Sequence, residues 1–185
     1  MQAKLQAIGM IECNSIAAGI EAADYMVKSS PVDILMLKTI CPGKFVVAVY
    51  GEVSSAKSAL ETGLEKGKDA VVDHFLISNV DHAVISAMSC AVDTVRGAAV
   101  GVIETFSAAS SIYAADVAVK SANVDLMEVR VAMGLGGKAY CLLSGDVASV
   151  ETAVASGSAT AAEKGLLVRK VVVPSMAPEV IRYLM

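Results

Sequence analysis

Six residues carry most of the metal and nucleophile chemistry open to this chain: Cys13, Cys41, Cys90, Cys141, His74 and His82. Cys41 has the setting that would put a thiol to use. It stands in Lys38-Thr39-Ile40-Cys41-Pro42-Gly43-Lys44, where Pro42-Gly43 supplies turn chemistry. Aliphatic runs from Ile34 to Thr39 and from Phe45 to Tyr50 read as strands on either side, so Cys41 sits on a tight loop. A cysteine in a turn with exposed backbone amides deprotonates readily, and the thiolate is the metal-binding form. The other three thiols read as structural, because free cysteine behaves as a small buried hydrophobe. Cys13 ends a strand, Cys90 falls in an Ala-rich tail and Cys141 alternates within a strand. No Cys-x-x-Cys pair exists, and the two histidines make no ligand spacing with the cysteines.

Other chemistries find little support. Two histidines leave a thin pool for a Ser-His-Asp or Cys-His triad, and no catalytic residue is nominated. Gly134-Leu135-Gly136-Gly137-Lys138 has the look of a phosphate loop, but Ala132 and Ala139 stand where such a loop needs Gly and Ser or Thr. The net charge of −4 argues against a nucleic-acid partner, which leaves a basic footprint. No apolar stretch approaches the roughly 18–20 residues of a membrane span. Met1-Gln2-Ala3-Lys4 leads straight into a strand without signal-peptide features, and the four cysteines are too scattered for a disulfide framework. The expectation is a cytoplasmic protein. The composition is 55% hydrophobic yet only 4% aromatic, so the apolar content lies mainly in Ala, Val, Ile, Leu and Met. Much of that surface is available for burial between subunits.

The elements that position the loop occur twice. Ala7-Ile8-Gly9-Met10-Ile11-Glu12 is echoed by Ala99-Val100-Gly101-Val102-Ile103-Glu104, and Ala22-Ala23-Asp24 by Ala114-Ala115-Asp116. Across residues 7–33 and 99–125, 15 of 27 aligned positions are identical, which makes a tandem duplication. Gly43-Lys44 matches Gly137-Lys138, so the second copy has the loop without its cysteine. The spacing predicts two domains, 1–94 and 95–185. Each reads as strand, helix, strand, strand, helix, strand and a short tail: a βαββαβ unit of the α+β sandwich class, with helices on an antiparallel sheet. In the first copy Asn14 or Ser15 can cap a helix over 16–29, where Ile16, Ile20, Ala23 and Val27 form an apolar stripe. Ser54 or Ser55 starts a second helix, and Gly67 can close it in a left-handed cap.

The residues that recur are those of a known family. Ile8-Gly9-Met10-Ile11-Glu12, the Ala22-Ala23-Asp24…Lys28 helix, Val32-Asp33, the Cys41 loop and Gly51-Glu52-Val53 resemble bacterial microcompartment shell domains over essentially the whole chain, twice. With Lys38-Thr39-Ile40-Cys41-Pro42-Gly43-Lys44, the chain is most similar to the unpermuted, tandem-domain trimeric type, the iron–sulfur shell protein of propanediol-utilisation compartments. The resemblance implies a homotrimer forming a pseudohexameric tile that joins other shell proteins edge to edge. It implies a central pore lined by Ile40, Pro42 and Gly43 of one copy and Gly134, Leu135, Gly136 and Gly137 of the other. Three copies of Cys41 would hold one 4Fe–4S cluster per trimer, for electron transfer across the shell or cluster delivery to an encapsulated redox enzyme. Lys28 and Lys120, at equivalent helix ends, would be tile-edge contacts. The alternative is a metal-free tile with a metabolite-conducting pore; a stand-alone redox carrier is a third reading. Neither tile reading makes the chain an enzyme.

Overall fold

In the computed structural model, which describes residues 7–88, 97–131 and 134–184, each copy has the predicted order of elements. The first runs β1 (Ala7–Cys13), α1 (Ile16–Ser29), β2 (Asp33–Ile40), β3 (Lys44–Gly51), α2 (Val53–Gly67), β4 (Val71–Ser78) and α3 (His82–Met88). The second runs β5 (Ala99–Thr105), α4 (Ala108–Ser121), β6 (Asp125–Val131), β7 (Ala139–Gly145), α5 (Val147–Glu163), β8 (Leu167–Val173) and α6 (Pro178–Leu184). The strands form two four-stranded antiparallel sheets, ordered β2-β3-β1-β4 and β6-β7-β5-β8. The chain makes two compact units, Met1–Val80 with Ala132–Gly137, and Asp81–Val131 with Lys138–Met185. The expected domain boundary at residues 94 and 95 lies outside the described residues, as does Cys90.

Every residue of β1 is buried, which is why this central strand reads as a continuous apolar run rather than an alternation. On the helix side of the first sheet, Ile11, Met26, Phe45, Val47, Val49 and Leu60 form the core. Full burial of such a side chain contributes about 1.5–3 kcal/mol. The paired helices approach closely because glycine stands at their contact: a Cβ on Gly63 would lie 2.6 Å from Met26 Sδ, and one on Gly157 2.6 Å from the Ala114 carbonyl.

Three local expectations change. Ser15 is the α1 cap, its hydroxyl accepting the Ala18 N–H at 3.3 Å, and Ser107 serves α4 in the same way at 3.0 Å. Of the stripe Ile16, Ile20, Ala23 and Val27, however, only Ala23 is buried; the inward face is Gly19, Ala22, Ala23 and Met26. Small residues let the helix settle on Phe45, which would lie 2.6 Å from a Cβ on Gly19, and the larger aliphatics are left outside. Helix α2 begins at Val53, ahead of Ser54 and Ser55, with no side-chain cap. At its end Gly67 is ordinary right-handed helix, and the positive φ falls on Lys68 at 40°. Gly67 is needed for space instead, since a Cβ there would lie 2.6 Å from Val71 Cγ2.

Candidate functional site

Cys41 lies at the turn joining β2 to β3. Ile40, which closes β2, is buried and anchors the loop in the first sheet, whereas Cys41, Pro42 and Gly43 are exposed. The Cys41–Pro42 peptide is cis, and Gly43 turns the chain with φ of 77°. A Cβ on Gly43 would meet nothing within 4 Å, so the backbone beside the thiol faces open space. Lys44 then fixes the exit: its Nζ donates to Glu12 Oε1 at 2.7 Å, on the fully buried carboxylate of the central strand. Lys138 and Glu104 repeat this pair at 2.7 Å at the loop of the second copy. Sequence reasoning assigned these four residues no role. The signal was present in the recurrence of Glu at the end of the first strand and of Gly-Lys after each loop.

Residues 134–137 belong to the same compact unit as Cys41. A Cβ on Gly137 would come 2.7 Å from Pro42 Cδ and 3.7 Å from the Cys41 carbonyl, so only glycine fits there. Gly137 also has φ of 90°, a conformation that L side chains rarely adopt. Ile40, Cys41, Pro42, Gly43 and Gly137 are thus gathered in one place. Gly134 and Gly136 are exposed with positive φ, Leu135 is half-buried, and nothing lies within 4 Å of a Cβ built on either glycine. Met133 and Ala132 lie outside the described residues.

Among the described residues the three cysteines divide sharply: Cys13 and Cys141 are buried and Cys41 is exposed. Burial pushes the Cys13 thiol up, helped by the neighbouring Glu12 carboxylate. Burial pushes Cys141 up to about 12, against a lowering hydrogen bond to the Ile103 backbone. Both lie away from solvent, which leaves Cys41 as the exposed cysteine among the described residues. Among the described residues of one chain, no group of three or more His, Cys, Asp or Glu is gathered to hold a metal ion. A donor set of one exposed thiol per chain, on a loop with open backbone, fits a shared cluster only when several chains meet.

Lys28 and Lys120 sit apart from the loop residues, in the last turns of α1 and α4. Each pairs with the aspartate one turn earlier: Lys28 with Asp24 at 2.6 Å and Lys120 with Asp116 at 2.5 Å. The surroundings differ. The Asp24 side chain is 54% exposed and that of Asp116 only 5%. Asp116 is covered because Asp81, just before α3, donates its N–H to Oδ1 at 2.9 Å. His74 lies on β4 and His82 opens α3.

Comparison with known proteins agrees with this architecture. The BMC domain family matches residues 7–80 and 99–176. Bacterial microcompartment shell protein PduT of Citrobacter freundii is 46% identical over 169 residues, 91% of this chain and 92% of that protein. Carboxysome shell protein CcmK2 of Synechococcus elongatus is 36% identical over 76 residues, 39% of this chain and 74% of its own. The crystal structure of a microcompartment protein from Desulfitobacterium hafniense DCB superposes with a TM-score of 0.82 at 47% identity, covering 96% of this chain and 99% of that one. Proteins of this family are structural components of shells in the cytoplasm rather than enzymes. Among the described residues no helix is long and apolar enough to cross a membrane. With a four-stranded sheet and its helices repeated in each half, and a family match over most of its length, this chain belongs to the BMC-domain shell proteins of bacterial microcompartments, in the tandem form.

Proposed function

We propose that the chain is a shell tile built as a homotrimer, in which three Cys41 thiolates meet around one axis and hold a single 4Fe–4S cluster. The observation that carries this reading is the exposure of Cys41 at the turn, beside a second loop reduced to glycine at Gly137. Trimerisation converts one thiol per chain into three ligands, and one iron is left for water or another donor. Thiolates are the usual ligands of such clusters, and the group would supply one-electron redox chemistry. Pro42 and Gly43 keep the loop compact, Glu12 and Lys44 hold its base, and Gly134, Leu135, Gly136 and Gly137 line the passage from the other copy. The tile would then carry electrons across the shell, or deliver the cluster to an encapsulated redox enzyme. Lys28 and Lys120 would lie at its edges against neighbouring shell proteins.

The test is anaerobic purification followed by iron and sulfide analysis and EPR, beside Cys41→Ser. The expected result is close to four irons and four sulfides per three wild-type chains, with the signal abolished in the variant. A wild type that takes up no iron on anaerobic reconstitution overturns the cluster and leaves the metal-free tile with an open pore.

A further inference from the structure

On the face turned away from its helices, each sheet carries a row of positions at the loop end, and the two copies fill it differently. In the second sheet Ile103 points at α5, its Cδ1 2.9 Å from a Cβ built on Gly157, so Glu104 points the other way. Strand register places Arg169 of β8 and Tyr140 of β7 on either side of Glu104, and Arg130 of β6 beside Tyr140. One row thus runs Arg169, Glu104, Tyr140, Arg130 across all four strands. Lys138 joins it through its bond to Glu104, and Glu128 through the Tyr140 hydroxyl, which donates to Oε2 at 2.9 Å. The matching row of the first sheet is Asp73, Glu12, Val46, Lys38. There Asp73, Glu12 and Val46 are buried. In the second sheet the side chains of Arg130 and Lys138 are 52% and 44% exposed and Arg169 is exposed. A cation therefore stands in the open where the first copy has a buried acid.

We infer that this row is a docking surface for a carboxylate-rich segment of a partner protein, on grounds of charge complementarity. Arg169 makes no ion pair among the described residues, while the Glu104 carboxylate opposite it is held by Lys138 at 2.7 Å. Arg130 gives one nitrogen to Glu128, and a guanidinium has five N–H donors. The Lys138 ammonium likewise keeps donors beyond its bond to Glu104. Neighbouring strands lie about 4.8 Å apart, so the two arginine backbones are about 14 Å apart. An extended segment rises about 3.3 Å per residue and covers that distance in about four residues. Carboxylates about four positions apart on an extended peptide therefore reach both guanidiniums, with Lys138 at the start of the intervening strand. Guanidinium planes favour carboxylates, which accept two bonds at once. Covalent continuity ties the row to the loop, since Lys138 follows Gly137, which lies against Pro42. The surface does not depend on a cluster at Cys41.

Fluorescence anisotropy of labelled hexaglutamate, titrated with the full chain at low ionic strength, tests it. The wild type should bind, and salt at about 0.5 M should release the peptide. Arg130→Glu and Arg169→Glu should each weaken binding about 5-fold or more, because an attraction becomes a repulsion. Lys57→Glu makes the same change in net charge on α2, where the Lys57 side chain is 62% exposed, and should leave binding within about 2-fold. Circular dichroism checks the fold of each variant; should Arg130→Glu misfold, Arg169→Glu decides alone. A wild type that does not bind hexaglutamate overturns the surface, as does a loss in Lys57→Glu equal to that in the arginine variants. Hexathymidylate bound as tightly overturns the carboxylate partner. Hexaglutamate binding by a protein that takes up no iron supports the surface while overturning the cluster.

Discussion

Ile20 and Ile112 hold the same position in two copies of one helix, preceded by the same Ser-x-Ala and followed by the same Ala-Ala-Asp. Ile20 is 54% exposed and Ile112 is 1% exposed. Both helices start at a serine cap and end at a paired lysine. The segment that follows each copy differs as well. After the first copy the chain continues into α3, which lies on β6 and α4; after the second it continues into α6, which has no buried residue. Ile16, Ile20 and Val27 of α1 are exposed, whereas Ala108 and Ile112 at the first two of these positions in α4 are buried.

The largest effect that would break this comparison comes from placing a charge at the two isoleucines. Ile112→Glu buries an unpaired carboxylate and should cost about 4 kcal/mol or more in urea unfolding of the dissociated chain. Ile20→Glu should change the stability of that same dissociated chain by no more than about 0.5 kcal/mol. Equal losses would mean that the two faces are covered alike.

A covered and a bare thiol should separate by pH. The ordinary thiol value is 9.0, and burial raises Cys141 to about 12. Between those values the unfolded chain has lost the proton that the folded chain keeps, so stability falls as pH rises, by about 1.4 kcal/mol per unit. Replacing Cys141 with Val should remove that slope from unfolding curves measured between pH 9 and 10.5. Exposed Cys41 should react with iodoacetamide in the folded protein at pH 8, and Cys141 only after unfolding.

The smallest expected difference is at the helix ends. Helix α2 closes on Lys68 with φ of 40° and ψ of −124°, while after α5 the positive φ falls on Gly165 at 68°. Lys68→Gly should therefore raise stability by about 1 kcal/mol, and Gly165→Ala lower it by a similar amount, both read as shifts in thermal midpoint.

Much of the fold was legible because it depends on local pattern written twice. The order of elements in each copy and the turn at Pro42-Gly43 follow from aliphatic runs, caps and breakers. The isolation of Cys41 was legible too, since a cysteine at a turn between two strands has few ways to be buried. Helix orientation was less so: Ile16, Ile20 and Val27 outweigh Gly19, Ala22 and Ala23 in hydrophobicity, but close approach to Phe45 favours the small residues. The Gly67 cap misread a glycine required for packing as one required for its dihedral.

Sequence alone determined the duplication, the fold class of each copy, and the presence of a single cysteine loop among two. Those properties rest on periodicity and on contacts between residues close along the chain. Tertiary structure decided which copies of identical residues are interior. It set Asp116 under the Asp81 amide and left Asp24 open, pressed Gly137 against Pro42, and anchored both loops through Glu12–Lys44 and Glu104–Lys138. Burial is a sum over everything that reaches a side chain, and the neighbours that complete it come from segments far along the chain.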